Sequence, residues 1–192
     1  MIIKKQENRT FDITNLETRS VGETGQHVLS GYASVFNSKT RIHDDLEEII
    51  SPGAFSDAIK NGSDVRCLIN HSWDNVLGRT KSGTLRIEED SKGLKFEVDL
   101  PNTTAANDLI ESIKRGDIDQ CSFGFWPTEE QYDYNQKPVL RTISNVKLYE
   151  VTIASLPQYE DTEVALVRSN SQLEKNNIKK RRKIIDIIEG VI

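Results

Sequence analysis

The chain has 192 residues, of which 36% are hydrophobic and 29% charged, with a net charge of −5. These figures fit one globular domain with a core and some tail. They exclude a helical membrane protein, because no apolar run approaches the ~20 residues that cross a bilayer. The opening MIIKKQENRTFD has no apolar segment leading to a small-residue cleavage site, so no signal peptide is expected. Cys67 and Cys121 lack CxxC partners, which predicts neither a zinc site nor a redox pair and points to the reducing cytoplasm. Charge is uneven. Residues 1–170 hold 19 Lys+Arg against 27 Asp+Glu, whereas residues 171–192 hold 6 against 3. An acidic body argues against nucleic acid as the main partner.

The first predicted strands are RTFDITNLE and HVLSGYASVFN, separated by the turn-rich GETG. The acidic stretch RIHDDLEEII follows. SPGAFSDAIKNG predicts a short helix with Ser51 as N-cap, Pro52 at the first position and Gly62 as the stop. Ala54, Phe55, Ala58 and Ile59 would face inward. DVRCLINH reads as a strand ending at His71. GTLRIEED and LKFEVDL form a hairpin about SKG. TTAANDLIESIKRG is the best helix, capped by Thr103 or Thr104, striped by Ala106, Leu109, Ile110 and Ile113, and ended by Gly116. DIDQCSFGFWP holds a short apolar strand. PTEEQYDYNQKP reads as a polar loop, and LRTISNVKLYEVTIASL as a long strand or a pair, stopped by Pro157. The predicted domain is 1–168, with a basic appendage over 169–192. Many short strands with two helices predict a mainly β fold, a barrel or sandwich with packed helices.

Only three histidines are available as a general base. His27 lies beside a Gly-rich turn and is expected to be exposed. His43 heads the run HDD, either a solvated turn or a sparse metal site. His71 closes an apolar strand, where sites are often built, although the pattern alone favours a half-buried histidine satisfied by a carbonyl. In QCSFGF, alternation puts Cys121, Phe123 and Phe125 on one face, and Ser122 and Gly124 on the other. Three such residues want the core, so Ser122 turns away from it, and Gly124 leaves room for a substrate backbone. The absence of GxSxG argues against a nucleophile elbow of the α/β-hydrolase kind, and taken alone Ser122 reads as a structural serine. Glu150 shares an alternation row with Val146, Leu148, Thr152 and Ala154. A carboxylate there needs a partner, or an edge strand facing water. Ser122, His71 and Glu150 have the chemistry of nucleophile, general base, and the group that holds the base's tautomer and cation. Cys121 is an alternative nucleophile that alternation opposes.

SGYASVFN, EEIISPGAFSDAI, LINHSWDNVLGRT, QCSFGF and LYEVTIASLPQYEDTEV occur in this order over about residues 28–168. Together they resemble the HK97-type prohead maturation proteases of tailed bacteriophages. The resemblance implies a serine endopeptidase related to the herpesvirus assembly proteases, with a β-barrel flanked by helices and no cofactor. It implies a Ser-His-Glu triad of Ser122, His71 and Glu150. The implied substrates are the scaffold, or the scaffold-like part of the major capsid protein, and the protease itself. The implied setting is the interior of a portal-containing prohead in the host cytoplasm, with neither nucleic acid nor membrane as a direct partner. SLPQYED lacks the arginine that the herpesvirus relatives use near the oxyanion, so those donors stay unassigned. Arg79 in GRT is a candidate support for the substrate site. The alternative is a catalytically silent capsid-assembly or scaffold protein with a protease-like fold. The KNNIKKRRK run is either a solvated arm or a docking element removed by self-cleavage.

Overall fold

The computed structural model describes residues 6–12, 17–21 and 26–155. The basic appendage and its self-cleavage, GETG and Pro157 lie outside the described residues. Among the described residues, eleven strands build two sheets, accompanied by two α-helices. The larger sheet joins β1 (Glu7–Asp12), β10 (Gln120–Asp133), β11 (Val139–Ala154), β5 (Leu46–Ile50) and β4 (Thr40–His43), in that order. β6 (Arg66–Ile69) also pairs with β11, and β7 (Ser72–Arg79) pairs with β6. The smaller sheet runs β2 (Glu17–Val21), β3 (Gln26–Val35), β9 (Gly93–Asp99), β8 (Leu85–Glu89). The expected mainly β class holds, but the expected barrel does not. The larger sheet is mixed and the smaller antiparallel, and the two enclose a core without closing into a barrel.

The long β11 explains this arrangement. Its first part, Val139–Ile143, runs parallel to β5, and its last part, Glu150–Ile153, runs parallel to β6. β5 and β6 therefore lie end to end along one edge of β11, opposite β10, and the segment joining them carries α1 (Ser56–Lys60). Phe36, Phe55, Phe123 and Phe125 form a continuous aromatic series in the core, with neighbouring ring centroids 6.1, 5.4 and 4.8 Å apart. α2 (Thr104–Arg115) buries Ala106, Leu109 and Ile110 in the same cluster. Thr103 accepts the N–H of Ala106, and Gly116 ends the helix in the left-handed region, as its sequence predicts. No helix among the described residues is long and apolar enough to cross a membrane.

Two local expectations change, and one stretch with no predicted element gains one. α1 begins four residues later than SPGAF suggests, and its N-cap position is Phe55, with no side-chain cap bond. Ser51 instead donates its hydroxyl to the Ile143 carbonyl, tying the loop to β11. RIHDDLEEII is a hairpin, β4–β5. The stretch read as a polar loop from Pro127 continues β10 as far as Asp133, paired with β11. Its polar residues alternate on a half-solvated ribbon, a pattern that loop composition imitates.

A buried ionic cluster fastens β1 to the sheet. Arg9 donates to Glu48 from Nε at 2.6 Å and Nη2 at 2.9 Å, and also bonds Glu7. Arg141 donates to Glu7, Glu48 and Glu130. Arg9, Glu48 and Arg141 are buried. Buried charges on this scale persist only when paired and hydrogen-bonded.

Candidate active site

β10 lies between β1 and β11, with Ser122 opposite Thr10 and Thr152, and Gly124 opposite Asn8 and Glu150. Alternation along β10 holds: Cys121, Phe123 and Phe125 enter the core, and Ser122 and Gly124 point to the other face. β11 does not alternate throughout. Val146 and Leu148 belong to the core, and so do Val151 and Ile153. The parity changes because the register slips between Gly124/Phe125, leaving Tyr149 as an extra residue on β11. This bulge takes Glu150 and Thr152 out of the row they would share with Leu148. It turns them to the face of Ser122, the kind of re-aiming bulges perform beside sites.

His71 reaches the same face from the two-residue turn between β6 and β7. Asn70 and His71 have φ of 50° and 57°, as a two-residue hairpin of the I′ kind requires. The second position favours Gly, so a histidine there needs outside support. The support is specific. The His71 N–H donates to Thr152 Oγ1 at 3.0 Å, and the Asn70 N–H to the Ile153 carbonyl at 2.9 Å. Asn70 Oδ1 accepts the Ser155 N–H and hydroxyl at 2.9 and 3.1 Å. So held, His71 Nδ1 lies 2.6 Å from Glu150 Oε1. Glu150 is 1% exposed and Ser122 0%. Ser122 Oγ, His71 Nε2 and Glu150 Oε2 are buried without a hydrogen-bond partner. Buried polar atoms are normally paired, and three orphans on one face are the chemical signature of this site.

Gly124 serves this arrangement differently from its sequence reading. A Cβ there would lie 2.6 Å from Glu150 Oε1 and 2.8 Å from its Cγ. The space expected for a substrate backbone holds the Glu150 side chain. Ser122 also differs from expectation in being fully buried, since both faces of β10 are covered here. Arg79 stands at the far end of β7 and bonds Asp64, with Nε at 2.6 Å. Cys121 and Cys67 are in the core, and burial pushes both thiols up from their ordinary range. A protonated, enclosed thiol is a poor nucleophile. His27 is half-buried on β3, not exposed as expected. His43 Nδ1 accepts the Asp45 N–H at 3.2 Å, the turn-residue alternative. Among the described residues no three metal-binding side chains gather, so the metal reading of HDD has no support.

The family described as caudovirus prohead serine protease has a model that matches residues 14–177. The prohead protease of Enterobacteria phage HK97 is 31% identical over 170 residues, covering 86% of this chain and 71% of that protein. The chain belongs to the prohead serine proteases of tailed phages. The capsid assembly protease of bacteriophage T4 shares its fold, with a TM-score of 0.54 over 81% of this chain and 99% of that one, at 10% identity. The family makes this a protease of phage capsid maturation.

Sequence reasoning missed Thr152, Asn70 and Tyr149. The run of Asn-His between two apolar strands was the available signal for the turn. The bulge had none, because Tyr149 fits either parity.

Proposed function

We propose that this prohead protease cleaves peptide bonds with Ser122 as nucleophile, His71 as general base and Glu150 as the group that orients His71. The observation carrying this is the bond between His71 Nδ1 and Glu150, which leaves Nε2 unpaired on the face of the unpaired Ser122 hydroxyl. A serine hydroxyl needs a base to act at neutral pH. His71 Nε2 takes its proton as Oγ bonds to the peptide carbonyl carbon. The carbonyl electrons move to oxygen, then return as the C–N bond breaks, and His71 gives the proton to the leaving amine. Water, deprotonated by His71, then attacks the acyl carbon, and His71 passes that proton to Ser122 Oγ as the C–Oγ bond breaks and the acid is released. Glu150 keeps Nδ1 protonated and balances the imidazolium. The oxyanion donors are unassigned.

The proposed substrates are scaffold, or the scaffold-like part of the major capsid protein, and the protease itself, inside the prohead in the host cytoplasm. The kinship with herpesvirus assembly proteases belongs to the same proposal. Ser122→Ala, co-expressed with the capsid protein, tests it. Intact masses of both products should show full-length chains, against cleaved ones with the parent protease. Normal processing by Ser122→Ala would overturn the assignment.

The full burial of Ser122 favours a second reading, a silent assembly protein with a protease-like fold. A fluorophosphonate probe separates the two. Labelling of Ser122 in the assembled particle supports the protease, and its absence from folded, assembled protein supports the silent form.

A further inference from the structure

The chain contains two tryptophans, and both are exposed. Trp73 is 52% exposed and Trp126 38%. Trp126 lies two residues beyond Gly124 on β10, with the same parity as Ser122 and Gly124, and is paired with Lys147. Its ring meets Tyr149, the bulge residue, edge to face at 5.4 Å. Lys147 Nζ lies 6.0 Å from the Trp126 ring and 5.4 Å from that of Tyr149. On the other flank, Arg66 is the register partner of Glu150 on β6, so its side chain shares the same face. Its guanidinium lies 5.5 Å from the Trp73 ring. Gly124 and Arg66 stand two strands apart, about 10 Å. The two aromatic–cation pairs therefore bracket the site at the spacing of a few residues of extended chain.

Exposed tryptophans are costly in water and are typical of binding surfaces. Aspartate competes for one cation here: Asp64 lies 3.5 Å from Arg66. Lys147 makes no ion pair among the described residues; its contacts are the two rings. A free ammonium over aromatic faces attracts a carboxylate, while the rings cover apolar side chains beside it.

We infer that Trp126, Tyr149 and Lys147, with Trp73 and Arg66, form the surface on which the substrate polypeptide docks beside Ser122, and that it takes an extended segment carrying both acidic and aromatic residues. This rests on the serine-protease reading of the same site and adds the chemistry of what it accepts. The tryptophans make the surface its own reporter, since indole fluorescence arises nowhere else in the chain.

The test uses the full chain with Ser122→Ala, which prevents turnover, titrated with a random copolymer of glutamate and tyrosine. A copolymer of lysine and tyrosine is the control. The acidic polymer should shift or quench the indole emission, and added salt should weaken the effect. Trp73→Phe and Trp126→Phe, each leaving one indole, should both respond. Lys147→Gln should weaken the apparent affinity by about fivefold, the scale of one surface charge contact, with an unchanged thermal midpoint. Equal response to both polymers, an unresponsive Trp126, or unchanged affinity in Lys147→Gln overturns the inference. The protease reading is tested separately by cleavage in the Ser122-containing chain. Cleavage with no indole response sinks only the docking surface, whereas indole response without cleavage in the active chain sinks only the catalytic assignment.

Discussion

Thr152 Oγ1 accepts the backbone N–H of His71 at 3.0 Å while Thr152 itself sits opposite Ser122 in the sheet. One side chain thus ties the turn of the proposed base to the strand paired with that of the proposed nucleophile. His71 has a left-handed backbone that a non-glycine residue adopts at a cost of roughly 1 kcal/mol or more. The Thr152 hydroxyl offsets part of it.

Thr152→Val keeps the shape and removes the acceptor. The His71 turn should loosen, and kcat should fall by about ten- to a hundredfold, with KM little changed, because geometry and not binding is lost. Thr152→Ser restores the acceptor and should recover most of the rate. Equal loss in both variants would mean that Thr152 acts only through packing.

Gly124 has a complementary role. An added methyl would fall within 2.6 Å of the carboxylate that holds His71. Gly124→Ala should lower stability by about 1–3 kcal/mol, the usual cost of overpacking, and should slow turnover further by displacing Glu150. Urea midpoints and single-turnover rates would check both. A variant with unchanged rate and stability would show that Glu150 can sit elsewhere.

The same strands show what the sequence makes legible. Strict alternation read β10 correctly because one apolar face, Cys121, Phe123 and Phe125, dominates it. The same rule misplaced Leu148 with Glu150, because a single extra residue at Tyr149 inverts parity and leaves no compositional trace. The left-handed turn at Asn70–His71 was hidden because its second position, where Gly is the usual signal, carries the proposed base. Ser51 looked like a cap since local preference favours one, but its hydroxyl goes to Ile143, ninety-two positions away. The Arg9–Glu48–Arg141 cluster was illegible for the same reason. Each charge is ordinary on a surface strand, and only the long-range pairing buries them.

Glu150→Gln retains volume and one acceptor while removing the charge. It should reduce kcat by roughly 10³–10⁴-fold, as loss of the orienting carboxylate does in such triads, with the fold preserved by circular dichroism. A mild effect would demote Glu150 to a packing role and leave the base oriented by Thr152 and Asn70 alone.

Acid should act on the fold through Glu7. Burial by itself would raise this carboxyl, but hydrogen bonds from Arg141 and the charge of Arg9 outweigh it and bring it from 4.5 to about 2. A carboxylate lowered in this way contributes stability that is complete above its unfolded value. That contribution is lost progressively as pH falls through 4.5 towards 2. The expected share is on the order of 3 kcal/mol, and it acts on β1, whose residues pair with the Ser122 strand. Glu7→Gln should therefore be less stable than the parent at neutral pH, yet lose less between about pH 5 and pH 2. Urea unfolding at several pH values reads the slope directly. Parallel pH profiles for parent and variant would show that Glu7 is not the acid-sensitive member of the cluster.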